Sequence, residues 1–85
     1  MNENESLPPG WRIVEAHHLE KEYTFPNFAE ALAFVNRVGA IAEEMDHHPD
    51  VYLAWGKVRI QTWTHVANGL TQKDFVLADR IELRL

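Results

Sequence analysis

The sequence contains no cysteine. Disulfides, zinc ribbons, Fe–S clusters and thiol chemistry are therefore excluded. Basic residues are scarce as well: eight Lys and Arg stand against thirteen Asp and Glu, a formal charge of −5. That balance argues against an electrostatic grip on phosphate backbones, so no nucleic-acid partner is expected. Apolar runs are only a few residues long, far short of the ~20 that span a bilayer, so no membrane partner is expected either. Residues 1–9 are polar and acidic. They lack the basic start and apolar run of a secretory signal, and a cytoplasmic location is the expectation. There is no internal repeat and no low-complexity tract.

What is present is an ordinary globular composition, 46% apolar over 85 residues. That length allows one domain. A chain so short buries only roughly 60–65% of its unfolded surface, so self-association is the expected additional stabiliser.

Residues 1–10 read as a flexible lead-in, because Pro8-Pro9-Gly10 fits neither a helix nor a central strand. Residues 11–85 read as the single domain. Its first part, residues 11–25, reads as a β-hairpin turning at Ala16-His17-His18. Leu19, Lys21, Tyr23 and Phe25 share one face of the return strand. Pro26 ends that strand. Asn27 then offers an N-cap, with Glu30 at capping-box spacing. The spacing predicts a helix whose buried stripe is Phe28, Ala31, Leu32, Val35, Val38, Ala42 and Met45. It passes through Gly39 and ends near Asp46, before Pro49.

Residues 51–55 and 58–65 read as a second hairpin joined at Gly56-Lys57. Val58, Ile60, Thr62 and Thr64 face one way, and Arg59, Gln61, Trp63 and His65 the other. Thr71 and Asp74 have capping-box spacing, with Leu70 and Phe75 at the staple positions. The last helix would bury Leu77, Ala78, Ile81 and Leu85. The order is ββα-ββα, an α+β class. Its economical solution is a two-layer fold, one four-stranded antiparallel sheet with both helices on one face.

Five histidines in so short a chain are the chemical signal. His17-His18 reads as a solvated turn. His47-His48-Pro49 follows a helix end directly, and Pro49 restricts His48 to extended backbone. Two imidazoles are thus held on a stiff corner, although a histidine there also serves as a C-cap. His65, on the open side of its strand, is either a surface histidine or an acid–base group working near neutral pH. Asp74 is explained by its capping box, and a functional carboxylate would look the same. Glu43, one turn before His47, is placed either to orient that ring or to form a plain surface contact. Trp11, Trp55 and Trp63 suit core packing, an interface or a flat heteroaromatic ligand. Adjacent extended histidines diverge, which suits acid–base work on either side of a small substrate better than one shared metal ion.

The run Glu43-Glu44-Met45-Asp46-His47-His48-Pro49, with Trp55, Thr64-His65, Gly69-Leu70-Thr71 and Asp74, resembles the pterin-4a-carbinolamine dehydratases. That family includes the dimerisation cofactor of a homeodomain transcription factor. The match runs from about Trp11 to the end of the chain, and several spaced elements match together. The resemblance implies the same four-stranded sheet and assembly as a homodimer or homotetramer. It implies dehydration of 4a-hydroxytetrahydropterin (the tetrahydrobiopterin carbinolamine) to quinonoid dihydropterin, recycling the pterin of aromatic amino acid hydroxylases. No metal or organic cofactor is implied.

By the same resemblance, His47 and His65 would be the acid–base pair and His48 would bind and orient the pterin. Glu43 and Asp74 would support the histidines. Trp11 would wall the pocket, and Asp46, Trp63, Thr64 and Val66 would lie at substrate contacts. Two departures stand out. Only ten residues precede Trp11, where family members often have a helix, and Trp63 replaces a commonly small residue. A non-catalytic binding or assembly protein on the same fold is the competing reading.

Overall fold

The computed structural model describes residues 7–85. The chain runs β1 (Arg12–Val14), β2 (His18–Thr24), α1 (Phe28–Met45), β3 (Asp50–Ala54), β4 (Lys57–Thr62), a short 3-10 turn (His65–Ala67) and α2 (Gln72–Leu83). The strands form one antiparallel sheet in the order β1-β2-β4-β3. The ββα-ββα class read from the sequence is the observed one. No helix among the described residues is long and apolar enough to cross a membrane.

Register explains which face is covered. Leu19, Lys21 and Tyr23 lie opposite Thr62, Ile60 and Val58, and paired residues share a face. Leu19, Val58, Ile60 and Thr62 have no exposed surface. The helices cover this face. Asp74, in the first turn of α2, bonds Thr62, and Glu82, near its end, bonds Lys21 and Tyr23. The alternate residues Glu20, Glu22, Arg59 and Gln61 form the open face, where Glu20 accepts from Arg12 and from Gln61 (2.7 Å).

Several local expectations are corrected. Of the predicted lead-in, residues 1–6 lie outside the described residues. Residues 7–10 are tied down: Trp11 N–H donates to Pro8 at 3.2 Å, Lys21 Nζ donates to Pro9 at 3.1 Å, and Leu7 packs against the core. The first turn sits one residue earlier than predicted. Glu15 and Ala16 take positive φ, 54° and 55°, and His17 N–H closes on Val14 at 2.9 Å, so His18 already belongs to β2.

The N-cap of α1 is as read, with Asn27 Oδ1 accepting from Glu30 N–H at 2.9 Å. Its buried stripe is rotated, however. Ala31, Phe34, Val38, Ile41 and Ala42 are buried, while Phe28 and Leu32 are exposed. In α2, Phe75, Leu77, Ala78 and Ile81 are buried, but Leu85 lies past the helix end and is exposed.

The second hairpin turns at Trp55-Gly56, one residue before the predicted junction. The backbone of Phe25 crosses there, its N–H donating to Gly56 at 2.8 Å. A Cβ on residue 56 would stand 2.7 Å from the Phe25 carbonyl oxygen, so only glycine fits. Strand β4 stops at Thr62, not at His65. Thr64 instead bridges back to Gly69, N–H to carbonyl at 2.8 Å, and His65 opens the 3-10 turn.

Candidate active site

The end of α1 delivers the first histidine. Asp46 takes a left-handed conformation, φ 53°. Its N–H donates to Glu43 at 3.3 Å while His47 N–H reaches Ala42 at 3.1 Å. These two bonds are the Schellman pattern, in which the chain reverses over the last helical turn. The reversal carries His47 inward and leaves Asp46 on the surface.

His47 is 8% exposed, and its Nε2–H donates to Asp74 Oδ1 at 2.6 Å. Asp74 is fully buried and takes four donors. Thr62 Oγ1 also reaches Oδ1 at 2.7 Å, while Thr64 Oγ1 (2.9 Å) and Thr71 N–H (3.0 Å) reach Oδ2. Both oxygens of the carboxylate are thereby filled. The Thr64 proton is committed to Asp74, so the Thr71 hydroxyl donates to Thr64 Oγ1 at 2.6 Å. Burial pushes the Asp74 carboxyl up, but the bonds from His47, Thr62, Thr71 and Thr64 outweigh it and hold the group below its ordinary value. An ionised Asp74 accepts only, so the proton of a neutral His47 sits on Nε2 and leaves Nδ1 as the lone-pair nitrogen.

The same carboxylate links the second histidine. Thr64 is bonded to Asp74, and His65 is the next residue along. His65 is exposed, and its ring stacks on Trp63 with centroids 4.5 Å apart and planes at 14°. Val66, at the tip of the same turn, is 99% exposed.

His48 bonds Glu43 instead of leaving that carboxylate to His47. The expected Glu43–His47 contact is thus replaced. Four-residue spacing applies only while the helix continues, and the helix stops at Met45. Trp11 is brought to neither pair. It is 5% exposed, and its indole N–H donates to Glu82 at 3.1 Å. Glu82 lies eight residues along α2 from Asp74, about 12 Å at helical rise. Within this chain Trp11 is a core residue. Burial works against the Glu82 carboxylate, yet bonds from Tyr23, Lys21 and Trp11 hold it low, and burial pushes the Tyr23 phenol up.

Sequence reasoning missed two parts of the site. Thr62 was assigned only to a packed face, although a hydroxyl among aliphatic neighbours calls for a buried partner. The polarity of a turn suggests a solvated His17 pair. His18 is instead half-buried in β2, and the His17 ring lies 5.1 Å from Trp63.

The small α+β domain thus holds a buried carboxylate–histidine pair, with His65 one residue past the Thr64 that bonds the same carboxylate. The chain belongs to the pterin 4 alpha carbinolamine dehydratase family, whose model matches residues 1–83. A provisionally named pterin-4-alpha-carbinolamine dehydratase of Rubrobacter xylanophilus is 51% identical over 74 residues, covering 87% of this chain and 69% of that protein. One of Rickettsia canadensis, named in the same way, is 48% identical, covering 88% and 69%. Among solved structures, a transcriptional coactivator/pterin dehydratase from Brucella melitensis superposes with TM-score 0.86 at 29% identity, covering 95% of this chain and 89% of that one. A pterin dehydratase-like RuBisCO assembly factor of the alpha-carboxysome shares the fold, with TM-score 0.72 at 22% identity and 87% of each chain covered.

Proposed function

We propose that this protein dehydrates 4a-hydroxytetrahydropterin to quinonoid dihydropterin and water, recycling the pterin of an aromatic amino acid hydroxylase. The observation that carries this reading is the His47–Asp74 pair, buried and fully hydrogen-bonded, with Thr64 leading directly into His65.

The chemistry needs two proton transfers. The C4a–O bond breaks and its electron pair leaves with oxygen. Hydroxide is a poor leaving group, so an acid protonates that oxygen and water departs. The N5 proton is lost to a base, and the N5 electron pair closes the C4a=N5 double bond. No electrons are gained or lost overall. His47 and His65 are the acid and the base of this reading, each placed to contribute about 10²–10⁴-fold. Asp74 fixes which nitrogen of His47 faces the substrate. His48 orients the pterin, and Glu43 holds His48. A second copy of the chain belongs to the same proposal, since Phe28 and Leu32 on α1 and Val51, Tyr52 and Trp55 on the β3–β4 hairpin are exposed.

Those exposed apolar residues also favour a second reading, a binding or assembly protein on the same fold. The two readings separate in one experiment. The dehydratase reading expects purified protein to accelerate formation of quinonoid dihydropterin, followed by absorbance, and His47→Ala or His65→Ala to remove the acceleration. The assembly reading expects no acceleration, and partner capture that survives both substitutions.

A further inference from the structure

Two features near the site are not used by the reaction as written. One is Trp63, half-buried just past the end of β4 and stacked on His65. The other is the strained β1–β2 turn, where Glu15 and Ala16 both hold positive φ. Non-glycine residues avoid that region because Cβ crowds the backbone, and consecutive cases persist only where the surroundings enforce them.

The turn sets His17 against the indole. The His17 ring centroid lies 5.1 Å from that of Trp63, with planes at 42°, and His18 lies 6.2 Å from the same indole. His17 is itself held from behind. Its Nδ1 meets His18 Nδ1 at 3.1 Å, and one of these nitrogens must donate to the other. His18 Nε2 stands 3.7 Å from the Glu20 carboxylate, which Gln61 and Arg12 hold in place and in its charged form. His18 Nε2 is buried and makes no hydrogen bond, so the bond between the two Nδ1 atoms is what ties His18 to His17. The same indole stacks nearly parallel on His65. An otherwise exposed imidazole thus has one ring plane prepared for it.

We propose that Trp63 is a positioning residue: its indole, braced by His17 from the β1–β2 turn, fixes the ring plane of His65 for proton transfer. The inference rests on the dehydratase reading of His65. Offset stacking of two flat rings is favourable and directional, whereas a free histidine on a surface turn samples several rotamers. Proton transfer needs donor and acceptor within hydrogen-bond reach, and small misplacements are costly.

The test uses the full chain and two readouts. Dehydration kinetics are compared for the wild type, Trp63→Phe, Trp63→Leu and His17→Ala. Proton NMR follows the His65 ring signals, which lie upfield if the ring sits over an indole face, with exposed His48 as the internal reference. The proposal expects Trp63→Leu to lower kcat about 10-fold or more, with KM little changed, and the His65 signals to lose their upfield position. Trp63→Phe should recover most of the kcat, and His17→Ala should cause a smaller loss of the same kind. A rise in KM at unchanged kcat in Trp63→Leu would overturn the proposal, making Trp63 a substrate contact. So would His65 signals unshifted in the wild type. A wild type without dehydratase activity would overturn the reaction assigned above, while the His65 signals would still decide the stacking.

Discussion

His47 and Asp74, 27 residues apart, share a buried 2.6 Å hydrogen bond. The two ends of that bond are built separately, one by the reversal after α1 and the other by the first turn of α2. An ionised carboxylate only accepts, so a neutral imidazole held through Nε2 has one tautomer. Asp74→Asn disturbs this without changing size. In either amide orientation an NH₂ faces two existing donors, either His47 with Thr62 or Thr64 with Thr71. The expected cost is about 1–3 kcal/mol, read from urea unfolding. Dehydration should fall by on the order of 10²-fold. A variant as stable and as active as the wild type would remove Asp74 from the account.

Stability should also depend on acid. Asp74, Glu82 and Glu20 are each held below the ordinary carboxylate range by the bonds they accept. A lowered folded-state value favours the native state in full above the unfolded value, near pH 4. That contribution is lost as pH falls through the lower folded values. Urea midpoints should therefore be steady as pH falls from 7 to 5 with respect to these three groups, then drop below about pH 4. Asp74→Asn should flatten its share of that drop. A midpoint unchanged between pH 5 and pH 2 would contradict the hydrogen-bond assignments.

The strained turn makes a prediction of opposite sign. Ala16 sits at φ 55°, where glycine is at ease. Ala16→Gly should stabilise the fold by about 0.5–1 kcal/mol, the relief of strain exceeding the extra freedom of the unfolded chain. Thermal unfolding of the two proteins decides it, and a lower melting temperature for the variant would refute the strain.

Gly56 behaves in the opposite way, because its constraint is space. A methyl group there meets the Phe25 carbonyl oxygen at 2.7 Å, and that oxygen belongs to backbone. Gly56→Ala should cost about 1–3 kcal/mol in urea unfolding. An unaffected midpoint would mean that the strand end yields freely.

The sequence carried the element order, the capping residues and the alternation of β4, because each depends on neighbouring residues. It carried the buried stripe of α1 poorly. Apolar residues fall on several sides of that helix, so the sets containing Phe28 and Leu32 or Phe34 and Ile41 have equally good helical spacing. Only the position of the sheet selects the second set. The His47–Asp74 bond was legible only through resemblance, since it joins residues distant in the chain. The exchange of Glu43 from His47 to His48 was not legible, because it follows from the left-handed Asp46. The His17 contact was hidden in the same way, by a turn that contains no glycine to announce it.

The most direct test of the account is the decay of freshly generated 4a-hydroxytetrahydropterin with and without purified protein, repeated with His65→Ala. The account predicts acceleration by the wild type and decay at the uncatalysed rate with the variant. No acceleration by correctly folded wild-type protein, or equal acceleration by His65→Ala, would contradict it.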